Sequence, residues 1–135
     1  ANPGDVITAN TNLIDILPAL LAVAGAQYPE VDHKGEPAPP LEGLNLKPYL
    51  SSPQILERDG PVFQRWKRGR SARTERWKLL SYAEKGPAAE DGEWELYDMA
   101  NDRTETINVA DEHPDIVAEM TADYDAWLAR VRPDL

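Results

Sequence analysis

Four oxygen-bearing side chains lie within eight residues just after Tyr97: Asp98, Asn101, Asp102 and Glu105. Carboxylate and amide oxygens are the ligands that Ca²⁺ and Mg²⁺ take in proteins. A calcium loop of the EF-hand kind needs a glycine at its sixth position, which is occupied by Arg103 when the count starts at Asp98. Short acids, Asn and Thr that follow a strand commonly hydrogen-bond their own backbone. The spacing therefore predicts a turn out of a strand and no metal site.

A second group that could do chemistry is the basic stretch from Arg65 to Lys78. It holds seven of the fourteen Lys and Arg residues against one acid, Glu75, so its local charge is +6 while the remainder carries −16. One interpretation is that the stretch pairs with an acidic helix at the end of the chain. The other is that it forms an anion-facing rim on an otherwise acidic body. The net charge of −10 predicts no nucleic-acid partner.

The remaining residue types offer no catalytic centre. The absence of cysteine excludes disulfides, a cysteine nucleophile and a thiolate metal site. The serines have no G-x-S-x-G setting, and there is no glycine-rich phosphate loop. The two histidines, His33 and His113, are far apart in the sequence and do not indicate zinc. From its own residues the chain is predicted to contain neither a catalytic residue nor a metal site.

The elements that must position these residues begin with an amphipathic helix between Thr11 and Gly25. Apolar residues recur there at helical spacing, and Gly25 suits a C-terminal cap. Pro18 cannot lie deep inside this helix, so either Asp15 caps a helix that starts just before the proline, or the first turn is kinked. The next sixteen residues, YPEVDHKGEPAPPLEG, contain four prolines and two glycines and predict an irregular loop. A short helical piece, LNLKPYLSS, follows.

After Gly60 the period changes from helical to alternating. The segments PVFQRWK, SARTE, RWKLLSYA and EWELYDM predict four strands of an antiparallel meander. The last element is a helix from about Pro114 to Arg132, whose apolar face is expected to cover the sheet. The predicted fold class is α+β: a four-stranded antiparallel sheet packed against a C-terminal helix, preceded by an amphipathic helix and a Pro-rich loop.

A chain of 135 residues can bury one modest core. It contains no apolar run of 18 residues and no basic start followed by an apolar segment. We therefore expect no membrane partner and no signal peptide within it. The sequence is compatible with a periplasmic, a secreted or a cytoplasmic location.

Four phrases, taken in order, resemble the C-terminal end of the type I sulfatases, which are formylglycine-dependent hydrolases of the alkaline-phosphatase-like superfamily. NLIDILPALLAVAG is similar to the family's D-[IL]-x-P-T-L-L-x-L-A-G, with Ala19 in place of Thr. LEGLNLKPYLSS is similar to G-x-S-L-x-P-L-L, with Asn45 for Ser. ARTERWKLLSY resembles A-V-R-x-x-x-[WY]-K-L-[IV] without its valine. ELYDMANDRTETINVADEHP resembles E-L-Y-D-[LM]-x-x-D-x-x-E-x-x-N-L-A-x-x-H-P, with Val109 for Leu.

The resemblance implies which cofactors a full-length relative would use. Family members convert the Cys or Ser of a C-x-P-S-R or S-x-P-x-R motif into formylglycine, beside a calcium ion. This chain contains neither motif, so no residue can be carried over as a nucleophile or a metal ligand. Loops of the family's C-terminal subdomain approach the active-site mouth. The resemblance thus implies a substrate-cleft role for five basic residues: Arg65, Lys67, Arg68, Arg70 and Arg73.

The resemblance also implies a division of the chain. Residues 1–30 would be a terminal helix segment of an absent catalytic domain, residues 31–59 a Pro-rich loop and short helix, and residues 60–135 the C-terminal subdomain. The function expected is that of a structural and substrate-cleft subdomain of a sulfatase, inactive as this chain alone. The alternative is an autonomous anion- or protein-binding module. For the sulfatase subdomain, the expected partner is the remainder of the sulfatase. When that partner is absent, the apolar face of the helix from Asp15 to Ala24 predicts self-association.

Overall fold

The computed structural model describes residue 4 and residues 10–51, 58–67, 69–82 and 92–132. The chain divides into two compact units, residues 1–58 and residues 59–135. The first unit contains short helices and a loop, and the second contains the sheet and the long helix. The assignment of residues 1–30 to a catalytic domain stays a prediction.

A 3-10 turn, Leu13–Asp15, leads into helix α1, Ile16–Ala24. Asn12 caps the turn, because its Oδ1 accepts a hydrogen bond from the backbone N–H of Ile14 at 3.4 Å. Pro18 lies in the first turn of α1, where its missing N–H has no intrahelical partner to lose. The helix ends at Gly25, whose φ of 66° is left-handed. Helix α1 therefore begins just before the proline, although Asp15 makes no side-chain cap to it.

Instead, the Asp15 carboxylate holds the first unit together. It is fully buried, and it accepts hydrogen bonds from the backbone N–H of Asn12 and of Leu44, each at 2.7 Å. The guanidinium of Arg58 lies 2.6 Å from its Oδ2. Burial acts to raise the pKa of Asp15, but these donors outweigh it and leave that pKa below its usual value. One side chain thus joins the start of α1 to two segments that are distant in sequence.

Close backbone contact explains the glycine beside Leu44. A Cβ at Gly43 would stand 2.0 Å from the carbonyl oxygen of Ile14. The chain can therefore pass over the 3-10 turn only because this residue has no side chain.

The Pro-rich loop folds back on itself at one bridge, between Val31 and Pro37. The Asp32 carboxylate accepts hydrogen bonds from the backbone N–H groups of Lys34 and Glu36, at 2.7 and 3.0 Å. Helix α2, Lys47–Ser51, follows the loop. The backbone and side-chain contacts of Asp32 thus give a loop without regular elements a fixed turn.

The second unit is built on four antiparallel strands in the order of the chain: β1, Val62–Trp66; β2, Gly69–Arg73; β3, Trp77–Tyr82; and β4, Glu95–Asp98. The second strand, predicted at SARTE, is displaced by two residues: it begins at Gly69 and ends before Thr74. Thr74 lies in the β2–β3 turn, where its Oγ1 accepts the backbone N–H of Trp77 at 2.9 Å. Its polar side chain closes a turn here rather than extending a strand.

The core lies between one face of the sheet and helix α3, Pro114–Val131. The register aligns Phe63, Ala72, Leu79 and Leu96 in one row across the four strands. Ala72, Leu79 and Leu96 are fully buried, together with Met120 at 4% exposure. The Tyr124 ring, also fully buried, meets Phe63 edge-on with ring centroids 6.2 Å apart. The predicted α+β class, with a C-terminal helix on a four-stranded antiparallel sheet, is confirmed.

The connector from β4 to α3 covers the sheet's last edge. The backbone N–H of Val109 donates to the carbonyl oxygen of Leu96 at 2.9 Å, and the Asn108 side chain accepts the N–H of Leu96 at 3.0 Å. His113 packs on Trp77, with ring centroids 4.9 Å apart, and makes no side-chain cap to α3. Both backbone groups of Leu96 are thus satisfied on the outer edge of β4, which leaves fewer of them to pair with another chain.

Candidate anion-binding surface

The β1–β2 hairpin brings two of the five predicted site residues together. Arg65 and Arg70 are direct cross-strand partners, so their side chains leave the same face of the sheet. By the alternation of the strands this is also the face of Phe63 and Ala72, against which α3 packs. Like charges directly opposite each other in a sheet are unfavourable unless something compensates them.

Arg70 is held by an aromatic ring and a backbone carbonyl. Its Cζ lies 4.1 Å from the ring centroid of Trp94, and its Nη2 donates to the carbonyl oxygen of Gly92 at 3.1 Å. The same carbonyl accepts the hydroxyl of Ser81 at 2.7 Å. Within the described part of the chain, Arg70 is positioned without a carboxylate partner, so its charge is not neutralised by an ion pair there.

Arg65 is half-buried and makes no ion pair with any residue that the structure describes. The pair Arg65 and Arg70 therefore concentrates two positive charges with no acid bound to either in the described ranges. Guanidinium groups bind sulfate and phosphate oxygens through paired N–H donors. An anion at this position would remove the repulsion between the two arginines.

The other predicted site residues lie elsewhere. Arg73 is paired with Val62 and Lys78 across the strands, which places it on the face opposite Arg65. Lys67 forms the hairpin turn with a left-handed φ of 52°, and its ammonium lies 5.5 Å from the Trp66 ring centroid. Arg68 lies outside the described residues. The structure thus joins two of the predicted residues, sets Lys67 at the tip of the same hairpin, and separates Arg73.

Two further basic residues of the stretch are paired with acids at the end of β4 and after it. Arg76 pairs with Asp98 at 2.9 Å, and Lys78 pairs with Glu105 at 2.5 Å. Both acids precede α3, so these described pairs differ from the predicted pairing with the C-terminal helix. The hydrogen bond from Arg76 lowers the pKa of Asp98 to about 2.

The acids after Tyr97 shape a turn, as predicted from their spacing. Asp98 accepts the backbone N–H of Ala100 at 3.1 Å, and Asp102 accepts those of Thr106 and Ile107 at 2.7 and 2.9 Å. The bond from Ile107 is the main cause that lowers the pKa of Asp102. Among the described residues, no group of three or more His, Cys, Asp and Glu could hold a metal ion.

Sequence reasoning missed the aromatic residues that position the cations. Trp94 lies outside the basic stretch and meets Arg70 only because the strands are paired in their observed register. The available signal was the alternation of cationic and aromatic residues in FQRWK. Among the helices that the structure describes, none has the length and apolar character to span a membrane.

Known proteins resemble this chain over part of their length. No family model matches the chain. Arylsulfatase K of Xenopus laevis is 28% identical over 133 residues, a match that covers 88% of this chain and 22% of that protein. The structure of the putative sulfatase yidJ from Bacteroides fragilis superposes with a TM-score of 0.59 at 20% identity, over 84% of this chain and 24% of that one.

A third similar protein, BT4656, was solved in complex with its substrate, D-glucosamine-2-N,6-O-disulfate. It superposes with a TM-score of 0.61 at 22% identity, over 89% of this chain and 24% of that one. The solved structures establish the likeness of fold. The chain spans about a quarter of the length of the relatives that it matches. In sequence and in fold, this chain resembles the C-terminal region of the sulfatases.

Proposed function

We propose that this chain serves as the C-terminal subdomain of a sulfuric ester hydrolase, supporting the catalytic part and contributing the β1–β2 hairpin to the substrate cleft. The observation that carries the proposal is the extent of the match. It includes 88% of this chain but only 22% of the similar arylsulfatase, so the shared part is one piece of a larger enzyme.

The exposed face of α1 supports the structural role. Leu13 is 79% exposed and Leu20 is 60% exposed, and Ile16 and Leu17 are close to half exposed. A contiguous apolar surface of this kind marks an interface. In the proposed enzyme the remainder of the catalytic domain covers it.

The arginine pair supports the cleft role. A sulfate ester is an anion whose oxygens match the paired N–H donors of a guanidinium. Arg70 is already oriented by Trp94 and Gly92, so little side-chain entropy would be lost when it binds. Arg65 and Arg70 are the proposed sulfate-binding pair, with Lys67 at the hairpin tip adding to the local positive field.

Bond cleavage is assigned to the remainder of the enzyme. The described residues hold no cluster of His, Cys, Asp and Glu for the calcium ion that the resemblance implies, and the sequence contains neither of the motifs that are converted into formylglycine. No catalytic step is therefore proposed for residues of this chain.

The proposal is tested first on the coding sequence upstream of Ala1. A C-x-P-S-R or S-x-P-x-R motif several hundred residues earlier is expected. If the upstream sequence encodes an unrelated protein or none, the chain is an autonomous anion- or protein-binding module and the proposal fails.

The cleft role is tested on the full-length enzyme, with sulfated glucosamine as the substrate. Arg65→Gln and Arg70→Gln, combined, are expected to raise KM at least tenfold with kcat largely retained, because they remove binding contacts. The control, Arg103→Gln, changes an exposed arginine outside the hairpin and is expected to leave both constants unchanged. Unchanged KM in the double variant would remove the hairpin from the cleft.

A further inference from the structure

Two aromatic side chains at the hairpin end of the sheet are open to solvent. Trp66 is 75% exposed and Tyr82 is 64% exposed. The other tryptophans, Trp77, Trp94 and Trp127, are all half-buried. Tryptophan is highly buried on average in folded proteins, so an open indole beside a second open ring is an unusual surface.

The register sets these rings on either side of a glycine. Trp66 pairs with Gly69, and Gly69 pairs with Tyr82, so the three residues form one row across β1, β2 and β3. The outer two backbones are separated by two strand spacings, about 10 Å. Gly69 has no side chain to fill the space between them, and Cδ2 of Tyr82 lies 3.5 Å from the position that its Cβ would take. The Tyr82 ring therefore lies over Gly69, and the row presents this ring and the Trp66 ring on one face of the sheet.

This row lies on the face opposite the Arg65 and Arg70 pair. Trp66 follows Arg65 directly in β1, and successive side chains of a strand point to opposite faces. The row is thus a separate surface from the proposed sulfate-binding pair, at the same end of the sheet.

A positive charge accompanies the rings. The ammonium of Lys67 lies 5.5 Å from the ring centroid of Trp66 and is exposed. Arg76 and Lys78 are paired with acids, so the positive charge near this end of the sheet comes from Lys67 and from Arg65 and Arg70 on the other face, in a chain whose net charge is −10. An anionic ligand is therefore attracted to this end of the sheet and repelled by the rest of the molecule.

From these observations we infer that Trp66, Gly69 and Tyr82, with Lys67, form a second binding surface for a sulfated saccharide. The faces of aromatic rings carry negative potential, and the C–H groups on a sugar's apolar face complement them. A sulfate substituent on the same sugar reaches Lys67. The ligand class rests on the proposed function, but the surface is defined by its own residues.

The test is a titration of the ¹⁵N-labelled 135-residue chain, in which four tryptophans give four indole N–H signals. The Trp66 signal is assigned by its absence from the Trp66→Phe variant. A chondroitin sulfate tetrasaccharide is expected to shift this signal saturably and to leave the other three in place. Chitotetraose, which has no sulfate, is expected to bind at least tenfold more weakly, and sodium sulfate at equal ionic strength is expected to cause no shift.

Variants separate stacking from charge. Trp66→Ala and Tyr82→Ala are each expected to raise Kd at least tenfold, and Lys67→Ala to raise it severalfold and flatten its salt dependence. Gln64→Ala is the matched control, since Gln64 is exposed on the same face of β1 and has no ring. The three other indole signals report whether each variant is folded.

Three results would overturn the inference. The first is a Trp66 indole signal that the saccharide does not shift, and the second is an equal shift of this signal by sodium sulfate. The third is a Trp66 signal that shifts with protein concentration when no saccharide is present, which would assign the rings to contacts between copies of the chain. An upstream formylglycine motif with a silent Trp66 signal would refute only this inference. Saccharide binding without such a motif would refute only the proposed enzyme context.

Discussion

At the scale of single residues, Asp98 combines two roles in one carboxylate. It closes the turn after β4 through the N–H of Ala100, and it pairs with Arg76 at 2.9 Å. The pairing lowers its pKa to about 2. An acid whose pKa is lowered in the folded state stabilises that state above its unfolded pKa of about 3.9. That contribution is lost as the pH falls through the folded value.

We predict that Asp98→Asn is less stable than the native chain at pH 7 and that the difference shrinks between about pH 4 and pH 2. Urea unfolding of both proteins across this range measures it. Asp123→Asn, on the exposed side of α3, is the control for a general change in charge. A stability difference as large at pH 2 as at pH 7 would show that the ion pair is not its origin.

A second prediction concerns calcium and the same turn. The oxygens of Asp98 and Asp102 already accept backbone hydrogen bonds, so binding an ion would break the turn that they form. Millimolar calcium is therefore expected to leave the melting temperature of this chain unchanged. A rise of several degrees that a chelator reverses would contradict this, because a ligand of the native state must stabilise it.

The sequence was sufficient to predict the role of residues whose partners are close in the chain. It did not predict on which face of the sheet each arginine lies. Asp98 and Asp102 accept backbone N–H groups within the next five positions, so their spacing was sufficient to predict the turn. Arg65 and Arg73 looked equivalent in the sequence but leave opposite faces of the sheet. Their separation depends on strand register, which a shift of one residue would invert.

At the scale of elements, α1 depends on a single buried carboxylate. Asp15 is fully buried and links the start of the helix to Leu44 and Arg58. Removing one partner of a buried ion pair commonly costs about 3 to 5 kcal/mol, because the other charge is left uncompensated. We predict that Asp15→Asn destabilises the first unit by an amount of this order while the sheet and α3 stay folded.

Amide hydrogen exchange measures the two units separately. Protection in α1 is expected to fall in Asp15→Asn, and protection in α3 is expected to match the native chain. Asp32→Asn, in the Pro-rich loop of the same unit, is the matched control and is expected to leave α1 protected. Equal loss of protection in both helices would mean that the two units unfold together.

The elements themselves could be predicted from the sequence, but their ends could not. The change from helical to alternating period located the sheet, and the apolar spacing after Pro114 located α3. The second strand was misplaced because Gly69 and Arg70 looked like a turn, whereas Thr74 and Glu75 looked extended. The ends of β2 are set by its backbone pairing with β1 and β3. The residue composition of β2 alone does not predict that pairing.

At the scale of the whole molecule, a chain that matches about a quarter of its relatives carries a face that an enzyme would cover. Four apolar side chains on or beside α1 are between 46% and 79% exposed: Leu13, Ile16, Leu17 and Leu20. Full burial of such a side chain is worth about 1.5 to 3 kcal/mol. Covering the exposed parts of these four side chains would therefore favour association of separate chains.

We accordingly predict that this 135-residue chain, expressed without the remainder of a sulfatase, self-associates through α1. Multi-angle light scattering over a concentration series is expected to show oligomers for the native chain and monomers for Leu17→Glu with Leu20→Glu. Gln27→Glu adds one charge just beyond the helix and is expected to leave the oligomers intact. Monomers for the native chain at every concentration, with α1 amides equally protected in the double variant, would contradict the prediction, because the helix would then be stable with its apolar face in water.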